Sequence, residues 1–276
     1  MKDLDTLPHD RIAAIDDPAD PRLSAYRDIK EKDLVGRQQR FIAEGKVVLN
    51  VLVSAQARFE TESLLVLENR LAGLNDQLRL LPASVPVYRV PQAVMDAVAG
   101  FHVHRGVLAV GRRKPQPELG EMLAALPEQA LAVVLCGISN HDNVGSIFRN
   151  AAAFEADCVL MDETCCDPLY RKAIRVSVGA ALKVPWHRGG GIDGIVAALQ
   201  DAGFGILALS PSSKTSLWRA KRHRRQALLL GTEGEGLPPR LLEKLRTARI
   251  PMSQDFDSLN VATASGIALS RFSRFR

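Results

Sequence analysis

Six short apolar runs in the second half of the chain constrain its fold more than any other feature. They occupy residues 131–138, 158–161, 182–187, 204–210, 227–231 and 248–252. A strand with one wet face alternates apolar and polar side chains. Runs that are apolar almost throughout belong instead to strands covered on both faces, as in a parallel sheet between helical layers. The stretches between them carry helical spacing: 144–155, 168–181, 192–202, 239–248 and a final 261–275. Strands alternating with helices of this length require right-handed crossovers, and their ligands sit in loops after the carboxyl ends of the strands. The segments to inspect therefore begin after residues 138, 210, 231 and 252.

The first half repeats the alternation on a smaller scale. Residues 63–67, 86–90 and 106–111 read as strands, separated by amphipathic segments at 45–55, 70–79 and 91–99. Residues 112–117, basic and proline-rich without periodicity, have the composition of an exposed linker. Four parts follow: an acidic, flexible arm over 1–22, a small α/β domain over 23–113, a linker and first helix over 114–130, and a parallel α/β domain over 131–276. The arm holds three basic and six acidic residues and three prolines. The whole chain carries net charge +5, so the −3 of the arm leaves +8 in the rest.

At 46% hydrophobic and 24% charged residues the composition is that of a globular protein, not a disordered chain. The N-terminus lacks the apolar centre of a signal peptide, and no run of 18 apolar residues provides a membrane span. Cys136, Cys158, Cys165 and Cys166 have neither zinc nor redox spacing, so they read as reduced packing thiols of a cytoplasmic protein, and no metal is expected.

Three post-strand segments are dense in Gly, Asn, Ser, Pro and acidic residues. In the first, 139–150, Asp142 or Asn143 can cap a helix, with Arg149 about two turns inside it and about 9 Å from Asn143 along the axis. The second, Gly-Thr-Glu-Gly-Glu-Gly-Leu-Pro over 231–238, is neither a dinucleotide fingerprint nor a P-loop. Its two carboxylates repel phosphate and suit a neutral or cationic ligand read by backbone groups. The third runs from Ile250-Pro251-Met252 through 253–257 to Ser258-Leu259-Asn260, where Ser258 or Asn260 caps a helix opening on the small residues Ala262, Ala264, Ser265 and Gly266. Such residues permit a tight contact, with a second subunit or a threaded strand. Taken singly, each segment is equally a capped helix or a tight turn.

Together, Asn-Val-Gly-Ser-Ile-Phe-Arg-Asn-Ala over 143–151, Gly-Thr-Glu-Gly-Glu-Gly-Leu over 231–237, and Ile-Pro-Met followed by Ser-Leu-Asn-Val over 258–261 resemble the three signature motifs of the SpoU/TrmH branch of the SPOUT RNA methyltransferases. Residues 172–180 also look like a family segment. Phe41–Gly45 and Gly106–Ala109 are similar, more loosely, to the family's small substrate-binding domain, which is related to a large-subunit ribosomal protein.

The resemblance implies a SPOUT-type parallel sheet with a deep trefoil knot, preceded by that ribosomal-protein-like domain. It implies a homodimer that uses S-adenosylmethionine to methylate ribose 2′-hydroxyls in structured rRNA or tRNA. The catalytic set it carries over is Arg149, Asn143, Glu233, Ser258 and Asn260. The cofactor would be held near Ser210, Gly231, Gly236, Ile250, Met252 and Leu259. One departure stands at His141-Asp142, where many relatives have Asp-Pro or a similar turn.

Arginine keeps its proton, so Arg149 reads more readily as a clamp on the 2′-oxygen and adjacent phosphate than as a base. For the RNA itself, Trp218–Arg225 offers Arg219, Lys221, Arg222, Arg224 and Arg225, and the first domain offers Arg105, Arg112 and Arg113 beside His102 and His104. Two rival classes exist. A catalytically silent RNA-binding module is expected to lose Arg149 or Asn260, and both are present. A dinucleotide-dependent enzyme is expected to carry G-x-G-x-x-G after a strand, and none is found.

Overall fold

The computed structural model describes residues 11–27, 31–100, 102–253, 255 and 257–274, with only the backbone of 31–33. The chain forms two compact units. One comprises the described residues up to Lys114 together with Leu169–Lys183; the other comprises Pro115–Pro168 and the described residues from Val184 onward.

In the first unit the order is β1 (Ile12–Ala14), a 3₁₀ turn (Pro21–Tyr26), α1 (Glu31–Gly36), β2 (Arg40–Glu44), α2 (Lys46–Leu52), β3 (Glu60–Leu67), α3 (Glu68–Leu71), α4 (Asn75–Leu80), β4 (Val87–Val90), α5 (Gln92–Ala99) and β5 (Val107–Arg112). The sheet runs β1-β4-β3-β5-β2, with β1, β4 and β3 parallel and β5 antiparallel to both β3 and β2. Residues 11–22 correct the expectation of a flexible arm. Ile12 pairs opposite Val87, and Ile15 and Leu23 are buried with Leu65, Val90 and Met95. A few apolar anchors hold this segment, and an average over its charges hides them. The rest of the expected arm, residues 1–10, lies outside the described residues.

Leu169–Lys183 also departs from the expected division. It carries α8 (Arg171–Val176) and a 3₁₀ turn (Ala180–Leu182). Leu169, Ala173, Ile174 and Leu182 are buried, and the Leu182 carbonyl accepts the Arg58 N–H at 3.0 Å. Leu182 therefore ends a turn in the first unit and does not open a strand in the second.

The second unit contains α6 (Leu119–Ala124), β6 (Ala130–Leu135), α7 (His141–Ala153), β7 (Cys158–Met161), β8 (Trp186–Arg188), α9 (Ile192–Asp201), β9 (Gly205–Leu209), β10 (Arg225–Leu230), α10 (Pro239–Lys244), β11 (Arg246–Ala248) and α11 (Val261–Phe272). Its six strands are all parallel, in the order β11-β9-β10-β6-β7-β8. Every residue of β6 and β7 is buried, which explains the unbroken apolar runs. Burying side chains of this size contributes about 1.5–3 kcal/mol each.

The last expected strand shifts toward the N-terminus. β11 stops at Ala248, and α10 ends at Lys244 to make room for it. Pro251 has no N–H to donate to a ladder, so Ile250-Pro251-Met252 leaves the sheet and becomes loop. α11 ends at Phe272, short of the expected 275, which lies outside the described residues. All four cysteines are free thiols. Among the described residues no helix is long and apolar enough to cross a membrane.

Candidate functional site

β9, β10 and β11 are parallel neighbours, so the loops after Leu209, Leu230 and Ala248 emerge at one edge of the sheet. They enclose a cavity of about 610 Å³, closed on another side by Ser258, Leu259 and Asn260 and by the first turn of α11. All six residues expected to hold a cofactor line it: Ser210, Gly231, Gly236, Ile250, Met252 and Leu259. Apolar side chains form much of the wall, and Glu233 and Glu235 are its carboxylates.

The Gly231–Leu237 segment is shaped by close approach of backbone to backbone. The Thr232 N–H donates to the Gly236 carbonyl at 3.2 Å, closing a turn that presents Glu233, Gly234 and Glu235. A Cβ on Gly231 would lie 2.4 Å from the Gly236 carbonyl carbon and 2.6 Å from the Leu237 nitrogen, so no larger residue fits without moving the loop.

One hydrogen-bonded cluster joins this loop to two helices. Asn143 Nδ2 donates to Glu233 Oε1 at 2.6 Å, and Asn260 Nδ2 donates to the same oxygen at 2.7 Å and to Asn143 Oδ1 at 3.0 Å. Asn143 is buried, near the start of α7. Asn260 is the N-cap of α11, its Oδ1 accepting from Ala262 N at 2.9 Å and Thr263 N at 3.3 Å. A single amide thus caps one helix with its oxygen and ties two other segments with its nitrogen. Of the expected catalytic residues, Asn143, Glu233 and Asn260 meet here, and Ser258 lines the adjoining cavity.

Arg149 stands apart from the cluster. It is exposed on α7 and is not part of the cavity wall. It makes no hydrogen bond or ion pair to another described residue, so its guanidinium is available to a ligand.

The N-cap of α7 is Asn140, whose Oδ1 accepts from Asp142 N at 2.8 Å and Asn143 N at 3.3 Å. This replaces the expected cap at Asp142 or Asn143 and leaves Asn143 Oδ1 free to accept from Asn260. Sequence reasoning also gave no role to Asn150. Its Nδ2 donates to the Ala262 carbonyl at 2.8 Å and to Ser265 Oγ at 2.9 Å, fastening α7 to α11. The small residues opening α11 are thus explained by a contact within the unit, and the signal was Asn150 inside the first motif.

The expected RNA contacts divide. Arg225 is structural: its guanidinium donates to the Ala202 and Leu123 carbonyls and stacks 4.6 Å from the Phe204 ring. Arg224 pairs with Glu128, and Arg222 donates to the Ser273 carbonyl at 3.0 Å. Arg219 and Lys221 are exposed. Because Arg225 opens β10 and Gly231 follows its end, the tail of the basic run sits at the amino edge of the sheet, opposite the cavity. In the first unit Arg112, at the far end of β5, pairs with Glu62, and Arg113 donates its N–H to the Gln39 carbonyl. Arg105 is exposed at the other end of β5.

Comparison with known proteins gives the chain a family and a fold. The profile of the SpoU rRNA Methylase family matches residues 130–270. An uncharacterized tRNA/rRNA methyltransferase of Mycobacterium tuberculosis is 41% identical over 261 residues, spanning 91% of this chain and 88% of its own. Among solved structures, an AdoMet-bound rRNA methyltransferase from Sinorhizobium meliloti matches with TM-score 0.79 at 21% identity, over 95% of this chain and 97% of that one. A protein described as an RNA 2′-O ribose methyltransferase matches with TM-score 0.76 at 25% identity, over 94% and 97%.

Proposed function

Because the chain belongs to the SpoU rRNA methylase family, we propose that it transfers a methyl group from S-adenosylmethionine to a ribose 2′-hydroxyl in structured rRNA or tRNA. The observation that carries this reading is the convergence of the Asn143–Glu233–Asn260 cluster on the wall of the 610 Å³ cavity. The volume lies within the range of small-molecule sites. Leu209, Ile250, Met252 and Leu259 supply apolar surface for a nucleoside, and Glu233 and Glu235 supply negative charge where a sulfonium would be bound. When bound, the cofactor supplies an electrophilic methyl group. The AdoMet of the Sinorhizobium meliloti protein supports the assignment.

The chain's own residues position and exclude. Glu233 and Asn260 fix the cavity loops relative to α7, and Ser258 offers a hydroxyl beside them. Arg149, exposed and without a partner among the described residues, clamps the phosphate and 2′-oxygen of the target nucleotide as a bidentate donor, leaving that phosphate or water to take the proton. Holding nucleophile and methyl donor in register makes the displacement effectively unimolecular, worth several kcal/mol of barrier.

The same reading includes the deep knot and the homodimer of the family. Sedimentation equilibrium tests the dimer. The first unit acts as the RNA-binding domain.

Calorimetry with S-adenosylmethionine against a nicotinamide dinucleotide tests the cofactor assignment: heat with the first and none with the second is expected. An Arg149→Lys protein that kept near-normal turnover on bound RNA would rule out the bidentate clamp.

A further inference from the structure

A second cavity, of about 660 Å³, lies within the first unit, where α2 begins and β5 is entered. Its wall brings together Lys46, Arg70, His104, Arg105 and Arg175, and among the described residues no carboxylate lines it. Two of the arginines are seated by glycines in left-handed conformations. Gly45 has φ +89°, and a Cβ there would fall 2.8 Å from Arg105 Cδ; Gly106 has φ +63°, and a Cβ there would fall 2.9 Å from Arg70 Cγ. The stems of Arg105 and Arg70 therefore lie across bare backbone, in space that a side chain at either glycine would fill.

Lys46 and Arg175 are held in place. Lys46 Nζ donates to the Gly73 carbonyl at 2.7 Å. Arg175 comes from α8, the segment that returns to this unit, and sits 3.6 Å from the buried Glu44 carboxylate. Arg70 and Arg105 are exposed and make no hydrogen bond or ion pair to another described residue. The rim also carries Val47, 57% exposed, an apolar surface more useful to a nucleotide's sugar or base than to an inorganic anion.

We propose that this cleft binds the phosphodiester backbone of the RNA substrate at an unstacked segment, with Arg70 and Arg105 as its free phosphate contacts and Arg175 completing the site from the returning segment. The inference rests on the methyltransferase reading for the identity of the polyanion. Of the first unit's expected RNA contacts it keeps Arg105 and joins it to Arg70 and Arg175, at the end of β5 opposite Arg112 and Arg113. Two planar guanidiniums with unspent donors match phosphate oxygens in geometry as well as charge. Single-stranded loops, not regular duplex, present phosphates and splayed nucleotides to such a concave surface.

The test is the salt dependence of RNA binding by the full-length protein, using a stem-loop RNA and a blunt duplex as probes. The Arg70→Gln, Arg105→Gln double variant is expected to lower the slope of log affinity against log salt by about 0.7–0.9 for each lost contact. The paired Arg70→Lys, Arg105→Lys variant is expected to restore most of that slope, and Arg22→Gln, which removes a cation paired with Asp20, is expected to leave it unchanged. The stem-loop is expected to lose more than the duplex. An unchanged slope in the glutamine variant, or an equal loss on Arg22→Gln, overturns the proposal. Calorimetric binding of S-adenosylmethionine by the same variants separates the two readings. A wild-type protein that shows the full arginine-dependent slope and takes up no cofactor sinks the methyltransferase reading alone. Unchanged slopes with intact methyl transfer sink the cleft alone.

Discussion

Replacing Glu233 by alanine removes the acceptor shared by Asn143 and Asn260, and the two amides do not suffer equally. Asn260 Nδ2 keeps the Asn143 Oδ1 contact at 3.0 Å, whereas Asn143 Nδ2, in a residue only 6% exposed, loses its acceptor at 2.6 Å. A buried donor left unpaired costs about 1–3 kcal/mol; because Glu233 is exposed on the cavity wall, water reaches the freed Asn143 donor and the loss falls at the lower end of that range. For a unit of this size each kcal/mol lowers the midpoint by about 2–4 °C. Glu233→Gln keeps an oxygen able to accept both bonds and loses only the charge, so it should fall between wild type and alanine. Thermal unfolding of the three proteins, followed by calorimetry with S-adenosylmethionine, reads both effects: the alanine variant should melt lowest and bind most weakly. An alanine variant that melts with wild type and binds the cofactor equally would refute the idea that this cluster holds the cavity wall.

Other outcomes follow from the same geometry. Gly231→Ala forces a Cβ into the Gly236 and Leu237 backbone and should weaken cofactor binding while costing about 1–3 kcal/mol of stability, read by calorimetry and denaturant unfolding. Asn150→Ala unfastens α7 from α11 and should cost about 1–2 kcal/mol in the same unfolding assay, since two hydrogen bonds are lost. Arg225→Gln should lower stability and leave the salt slope of RNA binding unchanged, because its guanidinium is spent on the Ala202 and Leu123 carbonyls. Burial pushes the Cys158 thiol up to about 12. Folding therefore keeps it neutral, and its contribution is whole below the unfolded thiol value of about 8.5 and is lost by about 1.4 kcal/mol per pH unit as pH rises above it. Thiol reagents at pH 8 should leave Cys158 unlabelled until the protein is unfolded.

The parallel sheet was legible because burial on both faces leaves no alternation to misread, and four of the six apolar runs lie on a strand, while the 182–187 run reaches β8 only at Trp186 and His187. The sixth, around Ala248, was displaced because apolar content alone does not distinguish the end of β11 from the wall of a cavity. The β1 strand was hidden because three residues at the edge of a sheet carry little pattern against an acidic background. The return of Leu169–Lys183 to the first unit depends on contacts with Val51 and Arg58, more than a hundred residues away, and local periodicity holds no trace of them.

At the site, the resemblance carried by the three motifs named residues that line the cavity. The motifs did not foretell that Asn140 caps α7 and so leaves Asn143 Oδ1 to accept from Asn260. The basic run was misplaced for a related reason. Charge density says nothing about which end of a strand it occupies, and Arg222, Arg224 and Arg225 are bound to neighbours within their own unit.

The most direct measurement is methyl transfer to RNA extracted from cells lacking this protein, with methyl-labelled S-adenosylmethionine and nucleoside analysis of the digest. The account predicts label in a 2′-O-methylnucleoside, abolished by Asn260→Ala and strongly reduced by Arg149→Lys. Label on a base, or no label with a protein that binds both cofactor and RNA, would contradict it.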